Sequence, residues 1–309
     1  MDTKGEENMP ENKKAQPNGS ANDELASKAL NKMKILDALV AFTLSLIFFA
    51  VAYGVLIKSI GVWAIWGASV LSVAAVFILM KLTGLKSQSV LKFSAPKKRE
   101  TAGGALLLAA SIVVSIPPIL FSQLLAPRLA ATSFNIYSIV SGPSVTFFSI
   151  LTVIFIALCE NILFDGYIYS RLTGIKSVAV RAVFAAIMAS VMRFDAYAFA
   201  GVFISSIAAF IARRETSSMT LPLVIRLFSV SFVIAISGLS AGADALVGEA
   251  MGAVQVSGLT LIFLGIALPV GALALSLFGK LRQNGKLIGF SCAIISIILV
   301  AAGCGVSSL

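Results

Sequence analysis

The sequence predicts an all-α fold, a polytopic transmembrane helical bundle of about nine spans, or eight, behind a disordered N-terminal tail. Three observations predict it. The chain has 309 residues, of which 58% are hydrophobic, and a mean hydropathy of +0.97; an average soluble domain is under half apolar. Charge-free apolar runs of about 20 residues, enough for a helix to cross a hydrocarbon core of roughly 30 Å, recur from Ile35 to the C-terminus. The alternating segments of an outer-membrane barrel are absent.

The elements follow in order. Residues 1–30 are rich in Asn, Lys, Glu, Ser and Pro and poor in large apolar residues. Such a segment cannot bury enough surface to offset its chain entropy, so it reads as a disordered cytoplasmic tail. It contains no apolar h-region, so it does not read as a signal peptide. Residues 31–81 form an N-terminal transmembrane hairpin, with spans over about 35–57 and 60–80 and a turn around Gly61. Residues 82–100 form a basic cytoplasmic linker, in which Phe93-Ser94-Ala95-Pro96 suits a short amphipathic or extended connector.

Residues 101–242 supply the core helices, over about 103–126, 143–163, 179–194, 196–212 and 220–241. Pro117-Pro118 should kink the first of these, which is tolerated where neighbours or water satisfy the freed carbonyls. Gly142-Pro143 opens the second. The fifth and sixth spans of the chain are short and separated by Phe194-Asp195-Ala196, which is where the count could fall to eight. Residues 243–309 form an external loop, carrying Asp244 and Glu249 and no basic residue, and two spans over about 256–278 and 287–306 without an ionisable side chain. Gly238 and Gly242 have the spacing of a close helix contact, a pattern common by chance. No internal repeat is evident, which weighs against an inverted-repeat transporter.

The net charge is +10, but its placement follows topology. With the N-terminus inside, the cytoplasmic segments hold Lys4, Lys13, Lys14, Lys28, Lys32 and Lys34, then Lys81, Lys86, Lys92, Lys97, Lys98 and Arg99, then Arg171, Lys176, Arg181, Arg213, Arg214, Lys280, Arg282 and Lys286. The outer segments keep Lys58, Arg128 and Arg193. This is the positive-inside pattern, with the N-terminus cytoplasmic and the C-terminus outside. The expected setting is a membrane, the plasma membrane in a prokaryote, and the expected partners are the bilayer with its anionic headgroups rather than nucleic acid. Cys159, Cys292 and Cys304 lie in apolar spans without disulfide or metal spacing and read as small buried hydrophobes.

Ionisable residues inside spans are costly and are the first functional candidates. They are Glu160, near the inner end of the fourth span, Asp165, Arg226 in the seventh span, and Arg193 and Asp195 at the junction of the fifth and sixth. Glu160 and Arg226 should lie at similar depth, and a mid-helix arginine costs about 2.5–3.5 kcal/mol on insertion scales. An ion pair between Glu160 and Arg226 is therefore expected; the alternative is that Arg226 snorkels to lipid phosphate. Such a pair could be purely structural.

The stretch Cys159–Leu172, CENILFDGYIYSRL, is the most distinctive in the chain. With the helices around it, from about Lys97 to Gly238, it resembles the CPBP family of CAAX prenyl proteases and bacteriocin-processing membrane proteins. Glu160, Phe164, Gly166 and Tyr167 fit the family's first motif, but Asn161 stands at the second glutamate and Asp165 at the arginine. Ser190 and Phe194 fit the second motif, with Ala198 at its histidine. The stretch from Arg214 to Pro222 fits the approach to the third, whose histidine falls on Arg226 and whose Asn or Asp falls on Val230. Tyr169, Arg171 and Leu172 also look like the family. The resemblance implies an intramembrane endopeptidase scaffold in which a glutamate and histidines activate water, with a metal in some accounts.

The chain contains no histidine, so zinc is not expected and no cofactor is. Glu160 is the one retained motif acid. Arg226 cannot ligate a metal or act as a base near neutral pH, and it would make a nearby carboxylate a poorer base. A Cys159 nucleophile or a Ser–Lys dyad lacks a partner, and an Asp165–Asp195 protease lacks the flanking residues of that class. Three readings stay open. The first is a catalytically inactive binding or scaffold protein that holds a lipidated peptide, a lipid or a membrane-protein partner. The second is an active endopeptidase with Glu160 as base and Arg226 stabilising an oxyanion. The third is a transporter or channel subunit using Glu160, Arg226 and Asp195.

Overall fold

The computed structural model describes residues 21–60, 63–125, 147–193, 196–243, 253–278 and 285–307, and among them every regular element is helical. Helix α1 spans Ala21–Ile60, α2 Ala64–Leu82, the single-turn α3 Ser87–Val90 and α4 Lys98–Leu125. Helix α5, Phe147–Glu160, continues into a π-helical segment, Asn161–Ile168, and then a last α-turn, α6, Tyr169–Arg171. Helices α7 (Val178–Val191), α8 (Ala196–Thr216), α9 (Thr220–Ala243), α10 (Ala253–Leu277) and α11 (Gly285–Ser307) complete the chain.

Five of these stretches are long and apolar enough to cross a membrane: Leu25–Ile60, Ala64–Leu82, Lys98–Pro117, Ile150–Gly174 and Val256–Leu277. Val178–Val191, Thr220–Phe232 and Ile294–Val306 are shorter apolar stretches. The chain is therefore a helical integral membrane protein. Large aliphatic side chains face outward along it, Ile297 being 70% exposed and Ile298 61%, as suits helices whose outer surface meets lipid rather than water.

Two boundaries differ from the sequence expectation. Helix α1 begins at Ala21, inside the segment expected to be disordered. The sequence Glu24-Leu-Ala-Ser-Lys28-Ala-Leu consists mostly of good helix formers, with Glu and Lys one turn apart, so the apolar helix propagates backward through it. Residues 1–20 lie outside the described residues. The basic linker is partly ordered: α3 makes one turn, and α4 starts at Lys98, where Glu100 accepts a 2.9 Å hydrogen bond from the Lys97 backbone N–H. Both Pro117 and Pro118 fall within the bounds of α4.

Helix α1 packs on α2, α7 on α8, α10 on α11 and α4, and α8 on α4 and α9. The π segment touches α1, α2, α7, α8 and α9, which puts it at the centre of the molecule. Its apolar residues Leu163, Phe164, Tyr167 and Ile168 are buried in the main core with residues of α1, α2 and α7. A second core joins Leu107 and Leu108 of α4 to Ala208, Ala212, Ile225 and Phe278. Polar contacts join helices where water is scarce. Ser45 and Ser72 exchange hydroxyl-to-carbonyl bonds of 3.2 and 3.0 Å between α1 and α2, and the Ser205 and Ser229 hydroxyls meet at 2.7 Å between α8 and α9.

Candidate functional site

The π segment determines which side chains meet. In an α-helix, residues five apart point about 140° away from each other. In a π-helix the hydrogen bonds run from i to i+5, so residues five apart lie roughly one above the other. Glu160, the last α-helical residue, and Asp165 thereby face the same partner from successive turns. That partner is Arg226 of α9: its Nε and Nη2 donate to the two carboxylate oxygens of Asp165, the second at 3.2 Å. Its Nη1 lies 3.7 Å from Glu160 Oε2, and its guanidinium stacks over the Phe164 ring at 5.2 Å.

Glu160 has a closer partner. Arg193, just past the end of α7, donates from Nη2 to Glu160 Oε2 at 2.6 Å. Glu160, Asp165, Arg193 and Arg226 are 9, 2, 2 and 4% exposed. Among the described residues, two carboxylates and two guanidiniums thus form a buried network whose formal charges balance. Charged groups so placed remain ionised only when paired and hydrogen-bonded.

A third arginine fastens the π segment. Arg213 of α8 donates from Nε to the Asp165 carbonyl and from Nη2 to the Val90 carbonyl, both at 3.0 Å, and lies over the Tyr169 ring at 5.5 Å. Gly166 allows the same close approach: a Cβ there would lie 3.1 Å from Leu91 Cδ2 and 3.4 Å from Met219 Cε. The turn before α9 is held to the linker. Ser94 N–H donates to the Ser218 hydroxyl at 3.0 Å, the Ser218 and Thr220 hydroxyls both donate to the Ser94 carbonyl at 2.9 Å, and Met219 N–H donates to the Lys92 carbonyl at 2.9 Å. Ser217 takes a positive φ of 54° in that turn.

The remaining motif positions divide. Asn161 is buried; its Nδ2 donates to the Met219 carbonyl at 3.2 Å, while its Oδ1 has no hydrogen-bond partner among the described residues. Val230 is fully buried in the apolar core. Ala198 lies on α8, with its side-chain surroundings outside what the structure describes, and Asp195 and Phe194 lie outside the described residues. Arg193, at the junction of the fifth and sixth spans expected from the sequence, turns onto Glu160.

Beside the network lies a cavity of about 30 Å³ between α1, α2 and α5, lined by Phe49, Ser69, Ser72, Cys159, Glu160 and Met192 among others. That is room for about two water molecules next to a carboxylate and two hydroxyls. Its wall is braced by Trp66, which donates to the Thr152 hydroxyl at 3.0 Å and stacks on Phe155 at 4.7 Å. The residues present do not suit the metal that the resemblance implies. Among the described residues no three of Cys, Asp, Glu or His come together, and the two carboxylates face guanidiniums, which have no lone pair to offer.

Buried ionisable side chains at the middle of an apolar bundle mark a candidate functional site of a membrane protein. Residues 142–232 match the family model described as type II CAAX prenyl endopeptidase Rce1-like, a CPBP family domain, and the matched stretch contains all four charges of the network. No curated protein and no solved structure matches the chain.

Proposed function

We propose that this protein is a catalytically inactive Rce1-like membrane protein that acts by binding, as a scaffold or receptor for a lipidated peptide or a membrane-protein partner. One observation carries the reading. The motif positions Glu160, Asp165 and Arg226, joined by Arg193, hold an ionic network in which each carboxylate is engaged by an arginine. Guanidinium donors occupy the carboxylate oxygens that a reacting water would have to approach, and the arginines have no lone pair to act as a base in their place. Glu160 then has a structural role, and Asn161, Asp165, Ala198, Arg226 and Val230 mark the loss of hydrolysis. The cavity beside Glu160 is far too small for a prenyl chain, so a lipidated partner would meet the outer apolar surface or part the helices around the cavity. The basic segments support a topology of nine spans, with the N-terminus in the cytoplasm and the C-terminus outside.

The test is cleavage of prenylated reporter peptides by detergent-purified protein and by Glu160→Gln, with bound metal measured by mass spectrometry in both. We expect no turnover, no metal and a partner that copurifies. Turnover abolished by Glu160→Gln would overturn the proposal. The cavity supports a second reading, in which Glu160 activates a water held between it, Ser69 and Ser72 while Arg226 stabilises the oxyanion. In that case Arg226→Ala lowers turnover in protein that still folds.

A further inference from the structure

We infer that the cleft between the start of α1 and the turn at residues 172–176 is a binding site for a phosphate-bearing anion, supplied by the headgroup of an anionic phospholipid. The cleft is separate from the ionic network. It measures about 470 Å³ and is lined by Leu25, Lys28, Asn31, Lys32, Ile35 and Lys176, with Ala29 and Gly174 between them. Three lysines and an asparagine are thus among the residues that border a concave space whose other lining residues are aliphatic or glycine. That combination matches a phosphate joined to the first carbons of a lipid rather than a fully hydrated ion. Its place along the chain agrees, because Ile35 is where the polar start of α1 gives way to the apolar run. Basic pockets at this level of a helical bundle are where anionic headgroups bind.

Two features make the cleft a built site rather than a chance gap. A Cβ on Gly174 would lie 2.5 Å from the Asn31 carbonyl oxygen, so glycine is what lets the turn that leads to Lys176 close against α1. Arg171, from the same side, pairs with Asp37 at 3.5 Å, neutralising the carboxylate that would repel an anion. Lys32, near the start of α1, and Lys176, beyond the turn, bring charge to the cleft from two separate elements.

Native mass spectrometry of the full chain in detergent tests this, with phosphatidylglycerol or phosphatidylcholine added and with excess inorganic phosphate as a competitor. The wild type is expected to retain phosphatidylglycerol in preference to phosphatidylcholine. The double variant K32Q/K176Q is expected to lose about 30-fold in affinity, from roughly 1 kcal/mol per lysine. The pair K86Q/K98Q, exposed and basic elsewhere, should change nothing. Gly174→Val, which leaves every charge in place, should weaken retention if the cleft geometry matters. Displacement by inorganic phosphate that disappears in K32Q/K176Q would replace the lipid source by a soluble phosphate at the same site. Equal retention of the two lipids, or equal retention by wild type and K32Q/K176Q, would overturn the inference.

Discussion

Arg226→Met tests the ionic network most directly. The substitution removes a guanidinium that serves two carboxylates and keeps a side chain of similar length over Phe164. Glu160 retains Arg193 at 2.6 Å. Asp165, which is 2% exposed, loses both hydrogen bonds to its carboxylate. It keeps only the field of Arg213, whose donor is on the Asp165 carbonyl. Removing one partner of a buried pair costs about 3–5 kcal/mol, and the upper half of that range is expected because two contacts are lost at once. Asp165→Asn should cost less, about 1–3 kcal/mol, because Arg226 can still turn to Glu160 at 3.7 Å. The double variant Asp165→Leu with Arg226→Met removes both charges and should return to within about 1–2 kcal/mol of the wild type. The assay is unfolding by a denaturing detergent, followed by the fluorescence of Trp63 and Trp66, the second of which stacks on Phe155 between α2 and α5. A loss below about 1 kcal/mol for Arg226→Met, or additive losses in the double variant, would refute a network that depends on mutual compensation.

Further outcomes follow from neighbouring contacts. Gly166→Val forces a side chain against Leu91 and Met219 and should cost about 1–3 kcal/mol by overpacking, read in the same unfolding assay. Arg213→Lys keeps the charge but cannot reach the Asp165 and Val90 carbonyls together; a loss of about 1.5–3 kcal/mol is expected, with faster proteolysis of the linker around α3. Trp66→Phe preserves the stack on Phe155 but removes the indole N–H that donates to the hydroxyl of the fully buried Thr152. It should cost about 1 kcal/mol, measured by thermal aggregation because only the exposed Trp63 is left to fluoresce.

The helical membrane architecture was legible because long apolar runs and one-sided basic residues are local signals that need no partner to be seen. The charged residues of the site were legible one by one for the same reason, since an ionisable group in an apolar helix stands out. Their pairing was less so. Reading Phe147–Ile168 with α-helical periodicity turns Asp165 away from Glu160, and nothing local in NILFDGYI marks the π-helical register that turns it back. Arg193 lies at the end of an apolar run, where sequence places it at the far interface. The packing of α7 against the π segment instead brings it onto Glu160. The bonds between Ser94 and Ser218 join residues 124 positions apart, a relation that periodicity and composition do not encode.

The order in which the four network charges appear along the chain bears on how the protein is made. Glu160 and Asp165 leave the ribosome first, Arg193 follows 33 residues after Glu160, and Arg226 follows 61 residues after Asp165. At about 5–20 residues per second, Asp165 waits roughly 3–12 s for its partner. During that interval the acidic helix is already in or near the bilayer with an uncompensated charge, a burden of about 2.5–3.5 kcal/mol on insertion scales. The fourth apolar stretch is therefore a reluctant passenger on its own. Its settling into the membrane is tied to the arrival of α7 and α9, so that insertion and assembly of this part of the bundle form a single event.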